Sequence, residues 1–425
     1  MKAASVPRSV QRRLGPRPLP LHLAAATLTW VSSRAALPLL RNGSLPWRPH
    51  LAAAAGELQR HLANANLDAF ARALEAELHR RLAALLKGIQ TYRNHPYRRS
   101  IVDPPVVWQA GTTRLLDYGI PGTVGGRDPQ SRPAVLVVPS LINRAYILDL
   151  SEERSLLRYL AGQGFRPLLV DWGRPGPEER GFALTDYIAG RLEAVLDAVL
   201  GSAGPRPLVI GYCMGGLLAL ALALRRQRDL SGLALLATPW DFQAGQEARA
   251  HLLAATFLPS LNPLLETLGE LPVGMIQLLF AALDPQVVAR KYVAFSHLDP
   301  NGREASAFVA LEDWVNDGTP LTAPVARECL VGWYGDNTPA RGRWTIAGRP
   351  VRPGDLRLPA LCLIPARDRI VPPRSATALA DALPHAKRLV LPLGHIGMVV
   401  SNRAREQVWA PLADWLHACS AQPIG

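Results

Sequence analysis

The stretch Gly211-Tyr212-Cys213-Met214-Gly215-Gly216 does most to limit how this chain folds. The apolar run PLVIG (207–211) leads into it, and a Leu/Ala-rich run leads out. The first has the length of a buried strand and the second that of a helix. A side chain held on so tight a strand-to-helix turn needs small residues two positions to either side, because the backbone is crowded and strained there. Gly211 and Gly215 provide them, in the pattern G-x-C-x-G. The following helix points its N-terminal N–H groups at the sulfur, which favours thiolate over thiol. The backbone N–H of Met214 is then placed to donate to an oxyanion. Taken alone, the motif suits equally well a buried structural cysteine with glycines for close packing.

The surrounding texture places this turn in a sheet. Strand-like runs AVLVVP (134–139), FRPLLVDW (165–172) and GLALLAT (232–238) flank PLVIG, with helical segments near 152–162, 184–201 and 214–226. Buried runs alternating with helices predict an α/β protein with a mostly parallel sheet covered on both faces. PPVVWQAGTTRLLDYG (104–119) alternates like an antiparallel pair. The rhythm stops over 241–345, which is helical and punctuated by proline. It resumes with PALCLIPA (359–366), a helix near 374–382, KRLVLPLG (387–394) and a final helix at 402–418. The expected organisation is an N-terminal helical, apolar and basic extension (1–100), a first core part (101–240), a helical cap insertion (241–345) and a second core part (346–425). Within the extension, residues 51–93 read as two helices joined near Asn64–Asn66. The basic start and the apolar stretch Leu19 to Val31 have a signal peptide's outline, but Pro16, Pro18 and Pro20 interrupt it, and the apolar run is too short to span a bilayer. It reads as a surface-seeking or core-docking segment, with no clean signal-peptide cleavage site.

Composition removes several function classes. The formal charge of +13 is almost wholly arginine, and 19% of residues are charged. An excess of this kind attracts polyanions, although a solvated arginine-rich surface accounts for it as well. No CxxC pair, zinc spacing, P-loop or GxGxxG pattern is present, so neither a nucleic-acid partner nor a metal is expected. Cys213, Cys329, Cys362 and Cys419 are too few and too scattered for a disulfide framework, which suits a reducing compartment.

Two further residues give the turn its chemical meaning. PARDRIVPP puts Asp368 just beyond one strand, and LPLGHIGMVV puts His395 just beyond the next. Asp368 alone could be a loop carboxylate paired with Arg367 or Arg369, and His395 alone a packed histidine in a glycine turn. Together, in the order nucleophile, acid, base and each at a strand's carboxyl end, they read as the triad of an α/β-hydrolase fold.

At this point the chain resembles the polyhydroxyalkanoate (poly-3-hydroxybutyrate) synthases, α/β-hydrolase-fold enzymes that polymerise hydroxyacyl-CoA thioesters. The resemblance rests on VPSLINRAYILDLSEERSLLRYLAGQGFRPLLVDW (138–172), GYCMGG (211–216), ATPWDF (237–242), FVALEDWVNDGTP (308–320), ARDRIVPP (366–373) and GHIGMVVS (394–401). It implies that Cys213 carries the acyl group, that His395 is its base and Asp368 the partner carboxylate. It also implies a second oxyanion donor from Pro139–Leu141, the Leu141 N–H, beside that of Met214. The implied substrate is an (R)-3-hydroxyacyl-CoA, with CoA as leaving group and no separate cofactor. The implied partners are the growing polyester, a cytoplasmic granule surface and a second copy of the chain, with an accessory synthase subunit as in the shorter types. Arg369 stands where family members usually have histidine. A hydrolase acting on a thioester, polyester or lactone through the same triad is the alternative.

Cysteine suits the polymerising chemistry. Thiolate attack on a CoA thioester exchanges one thioester for another and keeps the acyl group activated, whereas serine would leave an ordinary ester. His395 takes the thiol proton and can later take that of a 3-hydroxyl. Asp368 either orients the imidazole or acts on the hydroxyl directly. Water must be kept from the acyl group, and the apolar stretches LLAATFLPSLNPLL and MIQLLFAAL in 241–345 could provide a cover or simply a packed cap.

Overall fold

The computed structural model describes residues 13–119, 131–202, 206–245 and 261–421. The basic start before residue 13, and 246–260 of the expected apolar cover, lie outside the described residues. Packing divides the chain into two units, 1–98 with 277–316, and 99–276 with 317–425. The stretch 241–345 is therefore shared between them.

In the first unit, the helices Ala52–Ala63 and Leu67–Asn94 meet near Asn66, whose side chain accepts from Ala69 N at 3.0 Å and caps the second helix. That helix buries Leu85, Ile89 and Tyr92 against Val288, Tyr292 and Phe295 of the helix Val287–Phe295. The backbones come very close, because a Cβ on Gly88 would lie 2.1 Å from Tyr292 O. This packing draws 277–316 out of the expected insertion. The helix Leu19–Ala35 adds Ala26 to the same core, while Leu28 and Val31 remain 68% and 54% exposed. Among the described residues, no helix is long and apolar enough to cross a membrane.

The second unit is built on an eight-stranded sheet. Its strands are β1 (Val106–Ala110), β2 (Thr113–Asp117), β3 (Ala134–Val138), β4 (Arg166–Asp171), β5 (Leu208–Tyr212), β6 (Gly232–Leu236), β7 (Ala360–Pro365) and β8 (Ala386–Leu391). Their order across the sheet is β1-β2-β4-β3-β5-β6-β7-β8. The β1–β2 and β2–β4 pairs are antiparallel and the remaining pairs parallel. This is the expected α/β-hydrolase arrangement. Every residue of β3, β5, β6 and β7 is buried, as two-sided covering requires.

The segment after β3 is anchored by Asp149, a fully buried carboxylate. It accepts from Arg158 Nε at 2.8 Å, Arg158 Nη2 at 3.1 Å, Arg99 Nη2 at 3.3 Å and the Tyr118 hydroxyl at 3.1 Å. Replacing one partner of a buried ionic cluster leaves the others desolvated and unpaired. Asp149→Ala is expected to lower the free energy of unfolding by about 3–5 kcal/mol. Urea denaturation checks this, and a loss under about 1 kcal/mol, the scale of an exposed ion pair, would show that the cluster is not acting as a buried one.

Candidate active site

Cys213 stands between β5 and the helix Met214–Arg225 with φ 56° and ψ −128°. A side chain rarely adopts this conformation, and the surrounding structure must impose it. Its N–H donates to Leu236 O at 2.8 Å, and its carbonyl accepts from Gly216 N at 2.9 Å. The flanking glycines are required by contact distances. A Cβ on Gly211 would come within 2.4 Å of Gly216 Cα, and one on Gly215 within 2.2 Å of Val138 O. The second contact presses the start of the helix against the end of β3.

Asp368 and His395 are buried three and four residues beyond the ends of β7 and β8. His395 Nδ1 and Asp368 Oδ2 are 2.6 Å apart. The other carboxylate oxygen accepts from Ile370 N at 2.8 Å and Val371 N at 2.9 Å, which fixes the plane of the group. Burial lowers the affinity of His395 for a proton, but the charge of Cys213 and hydrogen bonds with Asp368 and Cys213 outweigh it and raise the pKa to about 10. With Nδ1 held by Asp368, the remaining ring nitrogen serves Cys213. The structure thus brings the three residues into one chain of contacts, at the carboxyl ends of β5, β7 and β8.

Leu141 is reached from the other side. Val138, the last residue of β3, pairs in register with Gly211, so the loop Pro139–Leu141 emerges beside the cysteine turn. Among the described residues, neither the Leu141 nor the Met214 amide donates a hydrogen bond to a protein acceptor. Two amides left free at a crowded turn can receive a developing negative charge.

Two contacts escaped the sequence reading. The buried Tyr212 hydroxyl donates to the carbonyl of His395 at 3.2 Å and ties the histidine loop to the cysteine turn. Trp172 Nε1 donates to Pro139 O at 3.0 Å and braces the loop that carries Leu141. Tyr212 adjoins Cys213 and Trp172 ends a strand run, but nothing local names their partners. Arg369 has its side chain at the surface. Among the described residues, no group of three or more His, Cys, Asp or Glu side chains could hold a metal.

A family model described as the alpha/beta hydrolase fold matches residues 133–401. Relatives include three proteins called poly(3-hydroxyalkanoate) polymerase subunit PhaC. That of Allochromatium vinosum is 28% identical over 295 residues, covering 68% of this chain and 82% of its own. That of Synechocystis sp. is 30% identical over 290 residues, covering 66% and 77%. That of Haloarcula marismortui is 27% identical over 317 residues, 73% of this chain, and the match spans only 66% of its length.

Proposed function

The chain belongs to the poly(3-hydroxyalkanoate) polymerase family, on the α/β-hydrolase fold, and from that premise we propose that it polymerises (R)-3-hydroxyacyl-CoA through an acyl group carried on Cys213. The contact chain Cys213–His395–Asp368 is the observation that carries this reading. The Cys213 thiolate attacks the thioester carbonyl, and the amides of Met214 and Leu141 take the charge that develops on its oxygen. The carbon–sulfur bond to CoA breaks, and CoA leaves as a thiol with the proton held by His395. A 3-hydroxyl oxygen then attacks the acyl-cysteine and gives its proton to His395, and the thiolate is released as the ester forms. CoA is part of the substrate, so no separate cofactor enters. Asp368 holds the imidazole in the orientation both transfers need. The growing polyester and its particle surface are the proposed partners of the exposed apolar residues Leu28, Val31, Leu39 and Trp47.

Incubation of the protein with (R)-3-hydroxybutyryl-CoA is the test. Sedimentable polyester with release of CoA is expected. Free hydroxy acid in stoichiometric amount with CoA, and no polymer, would overturn the reading in favour of a hydrolase using the same residues.

A further inference from the structure

The loop that carries His395 has far to reach. β8 lies three strands from β5 in the sheet, ~14 Å at about 4.8 Å per strand. The chain leaving β8 must turn back over the ends of β7 and β6 for the imidazole to meet Cys213. Two hydrogen bonds hold it there. Arg367 N donates to Leu393 O at 2.9 Å, which fastens the loop to the Asp368 segment after β7. The Tyr212 hydroxyl donates to His395 O at 3.2 Å, which fastens the loop to the last residue of β5. Among the described residues, no other hydrogen bond joins the main chain of 393–396 to β5.

Tyr212 meets the same residue a second time. Its ring lies against the imidazole, with centroids 5.4 Å apart and planes tilted by 32°. Aromatic pairs at such a separation attract, so the imidazole is held on its face as well as at Nδ1. Tyr212 is 4% exposed, and burial, followed by the charges of Cys213 and Asp368, raises its pKa well above the ordinary value. The hydroxyl therefore keeps its proton, and remains a donor, across the working pH range.

We infer that Tyr212 is a positioning residue for the reaction, its hydroxyl and ring keeping the imidazole of His395 within reach of Cys213 through both proton transfers. The inference rests on the Cys213–His395–Asp368 chemistry proposed above and adds what keeps the base on station. Tyr212 acts only through His395. A displacement of about 1 Å in a reacting group can cost on the order of 100-fold in rate, and this loop has one tether to β5 to prevent it.

The test follows CoA release from (R)-3-hydroxybutyryl-CoA against pH in two variants. Tyr212→Phe keeps the ring and loses the hydroxyl, and kcat is expected to fall about tenfold with KM near the parent's. Tyr212→Leu loses the ring as well, and a fall of about 100-fold is expected. The pH profile separates positioning from packing. Burial works against the proton on His395, and the contacts with Cys213 and Asp368 carry its pKa up to about 10. An imidazole that drifts from Cys213 loses part of that support, so the alkaline limb of kcat/KM should move to lower pH in both variants. The position of a limb does not depend on how much of the protein folds. An unmoved limb in Tyr212→Phe, whether kcat stays within about twofold of the parent's or falls together with the thermal midpoint, would overturn the positioning role and leave the polymerase reading intact. A parent protein that makes free hydroxy acid and no polymer, with the limb still shifted in its variants, would overturn that reading and support the positioning role.

Discussion

Cys213→Ala is expected to reduce CoA release from (R)-3-hydroxybutyryl-CoA by on the order of 10⁴-fold or more, the scale of losing a nucleophile that acts as one unit with its base. The sulfur is the atom that forms the covalent bond, and alanine offers nothing in its place. The loss should be specific to chemistry. Alanine must adopt the same positive φ as the cysteine, so the turn is neither relieved nor further strained. The amides of Cys213 and Gly216 keep their acceptors, since both bonds are backbone to backbone. A thermal midpoint close to the parent's should therefore accompany the loss. CoA release as fast as the parent's would mean that another residue carries the acyl group.

Asp368→Asn should lower kcat by about 10³- to 10⁴-fold, as expected when a triad carboxylate is neutralised and the imidazole is left in the wrong tautomer. The same substitution has a signature in stability that a merely local packing defect would not give. His395 binds its proton more tightly in the folded protein, with a pKa of about 10, than its ordinary value near 6.5. Its contribution to stability is complete below about 6.5, declines as pH rises and the unfolded chain releases the proton, and is gone above about 10. The urea midpoint of the parent should therefore fall across that interval. Removing the carboxylate removes one of the influences that raise the histidine, so Asp368→Asn should show a shallower fall. Equal slopes in parent and variant would show that Asp368 does not hold the proton on His395.

Cys213, Asp368 and His395 could be read from the chain because each follows an apolar run after a few residues, and strand ends of a parallel sheet gather on one edge. Their chain order and setting were enough to predict that they meet. The Tyr212–His395 contact was not legible, because its partners are 183 positions apart and the acceptor is a backbone carbonyl that any residue possesses. The division of 241–345 was hidden for a related reason. Apolar spacing on Val287–Phe295 shows that a face is buried, but not that Leu85, Ile89 and Tyr92 bury it.

The discontinuous make-up of the first unit governs what can be learned by shortening this chain. A truncation that starts after residue 98 does not yield a smaller enzyme stripped of an appendage. It strands the internal segment 277–316, whose Tyr292, Phe295 and Val288 lose the helix that shields them from water. Such a fragment would be prone to aggregate through those bare side chains, and its inactivity would report on solubility rather than on any part the N-terminal helices play in catalysis.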